Sequence, residues 1–134
     1  MRIAALVLAS LLTACASVPD ASTGRKTANA EVLDQSLLEP AADRGSVTIK
    51  RDSWPLHAYR LGIYVDGKRI GTIGDGEVLQ VFLPEGRRLV GVSRNGESRP
   101  TSELGLEVGA KPVFVHLKLS AWGWGGWDIE ESSH

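Results

Sequence analysis

The chain has 134 residues, with 15 Lys and Arg against 16 Asp and Glu, a formal net charge of −1. A balance this close to neutral argues against a nucleic-acid-binding domain, which would carry a strongly basic face, and the length suits one domain rather than two. Fifteen glycines and only 6% aromatic residues fit short strands joined by tight turns.

At the N-terminus, Arg2 precedes an almost unbroken apolar run from Ile3 to Leu12. A helix needs roughly 20 apolar residues to span a bilayer, so a run of about ten reads as the core of a removed signal peptide. It closes on Leu12-Thr13-Ala14-Cys15, with leucine three positions before the only cysteine in the chain. This order resembles a bacterial lipobox, where the leader is cut before the cysteine and the thiol is lipidated. The competing reading is plain secretion with Thr13-Ala14 as the cleavage site, which leaves a lone thiol without a disulfide partner.

The resemblance implies a diacylglyceryl thioether and an acylated amine on Cys15, and no other cofactor is expected. Each buried methylene is worth about 0.8 kcal/mol, so two or more acyl chains anchor firmly. Ala16 stands where an aspartate would resemble an inner-membrane retention signal. The expected address is therefore the outer membrane, facing the periplasm. Removing residues 1–14 takes away Arg2 and leaves 14 basic against 16 acidic side chains, a formal −2.

Residues 15–44 read as the lipidated cysteine followed by a flexible polar tether, with Ser17, Pro19, Asp20, Ser22 and Thr23 near its start. Some 29 flexible residues would have an r.m.s. reach of roughly 30 Å. Within them Val32, Leu33, Ser36 and Leu37 fall at helical spacing and Pro40 would stop a helix, so one to three turns are expected there.

From Gly45 the texture becomes strands separated by turns. Val47 and Ile49 alternate with Thr48 and Lys50, and Leu61, Ile63 and Val65 repeat the pattern into Asp66-Gly67. That dipeptide between apolar alternations is a strong signal for a type I′ hairpin. Lys68 to Ile73 is the return strand, with Ile70 and Thr72 on one face. Val78 to Leu83 is another strand, and Leu83-Pro84-Glu85-Gly86 predicts a three-residue hairpin returning along Leu89 to Ser93. Leu104, Leu106 and Val108 form the next strand, and Val113, Val115, Leu117 and Leu119 the last clear one. The expectation is an all-β fold, an antiparallel β-sandwich of about seven strands over residues 45–130, with a polar tail at 131–134.

Gly45 to Arg51 as an opening strand, Tyr64 to Gly71 as a hairpin and Leu83-Pro84-Glu85-Gly86 as a turn together resemble a family of bacterial lipoprotein domains. The family is catalogued as domain-of-unknown-function family 2846. The Pro84-Glu85-Gly86 turn is also similar to domains named for a Pro-Glu-Gly-Ala signature, with Arg87 in place of the alanine. Both resemblances cover about residues 45–119 and imply a small prealbumin-like sandwich. Neither brings a catalytic residue set.

Residue by residue, no catalytic or metal constellation is predicted. His57, His116 and His134 show no ligand spacing, and a zinc site needs about four ligands, or three plus water. Asp66, Asp75, Glu77 and Glu85 lie in or beside turns, where short acids bond the backbone; a hydrolase using acids near Asp75 and Glu77 is the alternative from a different class. The tail Trp122-Gly123-Trp124-Gly125-Gly126-Trp127 is the least ordinary segment. Its rings either cap the open end of the sandwich or, together with the basic hairpin residues Arg87 and Arg88, form a contact surface. The functional expectation is a non-catalytic envelope lipoprotein, held to the membrane by its anchor. It would bind or support an envelope protein or polymer, or serve as an accessory subunit of a larger assembly.

Overall fold

Alternation decides which way each strand faces. In β2 (Arg44–Arg51), Gly45, Val47, Ile49 and Arg51 are buried while the residues between them are partly exposed. The same period runs through β5 (Glu77–Pro84), where Glu77, Leu79, Val81 and Leu83 point inward, and β8 (Val113–Leu119), where Val113, Val115 and Leu117 do. The remaining strands are β1 (Arg25–Lys26), β3 (Leu61–Val65), β4 (Lys68–Ile73), β6 (Gly86–Arg94), β7 (Ser102–Val108) and β9 (Trp127–Ser132). The structure, a computed structural model, describes residues 25–26, 31–54, 56, 59–94, 97–120 and 126–134.

Two sheets face each other across one core. The first has strand order β1-β5-β2-β8-β9 and the second β4-β3-β6-β7. Val47, Ile49, Val81, Val115 and Leu117 from the first meet Leu61, Ile63, Val90, Val92 and Leu106 from the second, all essentially without solvent contact. The molecule is thus an all-β sandwich, as the pattern predicts. Most pairings are antiparallel, but β2 runs parallel to β8 and β1 parallel to β5. The parallel pair departs from the purely antiparallel expectation, since alternation fixes a strand's buried face and not its neighbour's direction.

The strand ends collect at two poles. The ends of β2, β4, β6 and β8 and the starts of β3, β5, β7 and β9 lie at the upper pole, with residues 74–76; the lower pole holds Asp66-Gly67, Glu85 and 109–112. Asp66-Gly67 is the tight hairpin expected, with positive φ at both residues (50° and 78°).

Leu83-Pro84-Glu85-Gly86, however, is not a hairpin. It is a corner: β5 pairs with β2 in the first sheet, and β6 pairs with β3 and β7 in the second. The Glu85 N–H donates to the Asp43 carbonyl (3.0 Å), holding the corner against the start of β2. Gly86, at φ 112°, supplies the backbone geometry that lets the chain change sheets.

Three further boundaries shift. A bulge between Ile63 and Tyr64 changes the phase of β4, so that Ile73 rather than Thr72 joins Ile70 in the core. β9 extends to Ser132, into the stretch read as a polar tail. On the N-terminal side, the packed domain begins before Gly45. Val32 and Leu37 are buried in the core, Val32 bridges Gly71, and the Leu33 N–H donates to the Ile70 carbonyl (2.7 Å). The helical spacing there resolves as a single 3-10 turn, Gln35–Leu38, capped by the Asp34 carboxylate accepting from the Ser36 N–H (3.0 Å).

Candidate functional site

The upper pole concentrates the unusual side chains. Arg51, at the inward phase of β2, is 1% exposed, making it the largest fully buried side chain among the described residues. Its Nη1 donates to the carbonyls of Tyr59 (2.6 Å) and Ile73 (3.2 Å). The guanidinium lies over the Trp127 ring at 4.6 Å and within 5.8 Å of the Tyr59 ring centre. Trp127 Nε1 donates to the Tyr59 hydroxyl (3.0 Å), and Arg94 covers the Tyr59 ring at 5.0 Å. Burial pushes the Arg51 guanidinium below its ordinary pKa, opposed chiefly by the Asp75 carboxylate. A guanidinium titrates so high that it stays charged.

Around this box the acids are engaged. Asp75 accepts from Ser53 Oγ (2.9 Å) and from the Trp54 N–H (2.6 Å), tying the 52–60 connection to the β4–β5 turn. Glu77 is buried, accepts from the Gly74 N–H (3.2 Å) and pairs with Arg60 (3.4 Å). Arg60 also reaches Glu31 at 2.5 Å and Thr72 Oγ1 at 3.0 Å, so it clamps the N-terminal segment onto the sandwich. A Cβ at Gly74 would lie 2.6 Å from Glu77 Oε1 and 2.7 Å from Arg60 Nη1, so a side chain there would displace this pair. Asp75 and Glu77 thus serve as structural acceptors here.

On the outer face of the first sheet, Lys50, His116 and Glu130 lie side by side in register. His116 Nε2 stands 2.6 Å from Asp52 Oδ1, its Nδ1 3.7 Å from Glu130, and Glu130 pairs with Lys118 at 2.8 Å. The Lys118 hydrogen bond holds the Glu130 carboxyl below its ordinary range, and the same contact raises Lys118. This is a solvated strip of alternating charge in which a carboxylate orients an imidazole. Among the described residues no group of three or more His, Cys, Asp or Glu is placed to hold a metal.

The sequence-predicted contact residues divide. Trp127 is 3% exposed and belongs to the Arg51 box, so its ring caps the core rather than offering a contact. Trp122 and Trp124 lie outside the described residues; their flanks, Ser120 and Gly126, are joined by an N–H to carbonyl bond of 3.0 Å at the upper pole. Arg88 is used internally, donating to the Pro84 and Glu85 carbonyls and to Asp66 Oδ2 (3.2 Å), while Asp66 Oδ1 accepts from the Leu89 N–H (3.0 Å). It therefore brackets the sheet-changing corner to the hairpin turn. Arg87 stays exposed beside Glu107. Cys15, Leu12, Thr13 and Ala14 also lie outside the described residues, as does His57.

Sequence reasoning missed Arg51 and Tyr59. For Arg51 a signal existed: it continues the inward phase of Val47 and Ile49, which is the place of a core residue. Tyr64 was also unread. Its buried hydroxyl accepts from Ser93 Oγ (2.9 Å) and donates to the Glu97 carbonyl, pinning the β6–β7 connection.

Among the described residues no helix is long and apolar enough to cross a membrane. Comparisons with protein-family models, with curated proteins and with solved structures found no match to the chain.

Proposed function

We propose that the chain is a lipid-anchored β-sandwich lipoprotein of the bacterial envelope, held by Cys15 at the periplasmic face of the outer membrane and working by contact rather than catalysis. The observation that carries this reading is Leu12-Thr13-Ala14-Cys15 closing an apolar run too short to span a bilayer. Supporting it, the sandwich follows a polar stretch after the cysteine, and the strand–Asp66-Gly67–strand order resembles the family-2846 lipoprotein domains. The acids a hydrolase would use are engaged in hydrogen bonds and an ion pair.

One observation favours an accessory-subunit version of the same role. Among the described residues β7 and β9, at one end of each sheet, pair along one edge, which leaves backbone groups for a partner strand. The test is Cys15→Ser in cells given a labelled fatty acid. The substitution abolishes labelling of this chain and releases it from membranes; labelling that persists contradicts the anchor.

A further inference from the structure

We infer that the upper pole of the sandwich rests on the bilayer that holds Cys15, with Trp54 and Leu56 in the lipid headgroup layer. This orientation depends on the anchor proposed above and adds to it a second contact, between protein and lipid. Three observations carry it.

The first is where the chain joins the domain. β1 runs parallel to β5, with Arg25 opposite Glu77 and Lys26 opposite Val78. β5 leads away from the upper pole, so β1 runs the same way and its first residue, Arg25, lies at the upper-pole end. Arg25 pairs two residues from Asp75, whose carboxylate holds Ser53 and Trp54. The anchored end and the 52–60 connection therefore share one corner.

The second is length. Nine residues lie between Cys15 and Arg25, ten steps that span at most about 36 Å at roughly 3.6 Å per step. β5 has eight residues and is about 26 Å long at 3.3 Å each. Bringing the lower pole to the bilayer would require the link to run back along the whole sandwich, taking about 26 Å of a reach of about 36 Å. Bringing the upper pole to the surface requires no such span.

The third is the side chains at that corner. Trp54 is 46% exposed and Leu56 92% exposed. Leu33 and Leu89, the other exposed large apolar residues among those described, stand elsewhere, Leu89 beside Asp66 at the lower pole. An indole beside an aliphatic side chain suits the headgroup boundary, where an amphipathic ring keeps its polar edge wet. Arg94 and Arg99, both exposed near this pole, are placed for anionic headgroups, with Glu97 between them in sequence.

The test uses the full lipidated chain with Leu56→Cys, labelled with an environment-sensitive nitrobenzoxadiazole dye. Acylation of Cys15 leaves the new thiol as the reactive one. Lys111→Cys, at an exposed residue of the lower pole, is the comparison. Each protein is reconstituted in phosphatidylethanolamine–phosphatidylglycerol vesicles containing spin-labelled lipid. The dye at position 56 shifts to the blue and is quenched several-fold more than at position 111. Equal quenching, or stronger quenching at 111, overturns the orientation while the anchor stands. A blue shift at 56 without lipid quenching also overturns it, because a protein surface then covers the site. A chain that does not float with the vesicles overturns the anchor, and the orientation falls with it.

Discussion

Arg51 shows how much one side chain can organise. A buried guanidinium is tolerated because its donors meet carbonyls on the 52–60 connection and at the end of β4, and its faces meet aromatic rings. Hydrogen bonds from charged groups contribute about 1.5–3 kcal/mol, and a desolvated cation–π contact about 2. Arg51→Ala is expected to lower unfolding free energy by about 3 kcal/mol in urea titrations. Arg51→Lys should recover less than half of that, since an ammonium lacks the planar face that stacks on the Trp127 ring. The alternation of Val47 and Ile49 made the inward face of β2 legible. It did not reveal that Arg51 stays on that face, because its stabilising partners come from residues 8, 22 and 76 positions away along the chain.

The strip Lys118–Glu130 carries the clearest pH dependence. The carboxyl of Glu130 is depressed, so its contribution is present above the ordinary glutamate pKa and is lost as pH falls through the lower folded value. Lys118 is raised, so its contribution is complete below the ordinary lysine value and is lost as pH rises through the higher folded one. Between those windows both terms favour the fold, though an exposed pair contributes little. Lys118→Met should return the Glu130 titration upward toward an ordinary glutamate, as read by carboxyl NMR.

At the level of elements, turns were more legible than pairings. Asp66-Gly67 was readable because positive φ at two residues demands such a dipeptide between apolar alternations. What lay hidden was Asp66's second task, accepting from the Leu89 N–H and pairing with Arg88. Asp66→Ala removes both contacts and places alanine at φ 50°, so a loss of about 2 kcal/mol is expected in thermal or urea unfolding. Asp66→Asn keeps the acceptor and the turn, and should lose less.

The Pro84-Glu85-Gly86 corner shows the opposite case. Its residues announce a turn, but a turn within a sheet and a turn between sheets need similar backbone chemistry. The difference lies in partners: β2 claims β5, and β3 and β7 claim β6. The same limit hid the parallel β2–β8 pair, because its two strands are far apart in sequence and carry no turn between them.

At the scale of the whole molecule, sequence and structure divide the evidence for function. The all-β sandwich was readable from its alternating segments and is what the structure shows. The packed role of Val32 and Leu37 was not, since a short apolar pair inside a polar stretch gives no sign of the strand edge it will meet. Of the tryptophan-rich tail, Trp127 turns inward onto Arg51, and exposed Trp54 and Leu56 come from another connection, one without a periodic pattern to mark it.

The anchor remains the central claim, because both the address and the orientation depend on it. Its most direct test is mass spectrometry of the chain recovered from bacterial membranes. The account predicts a mature N-terminus at Cys15 carrying a diacylglyceryl thioether and an acylated amine. A free Cys15 thiol, or a mature chain starting at any other residue, would contradict it.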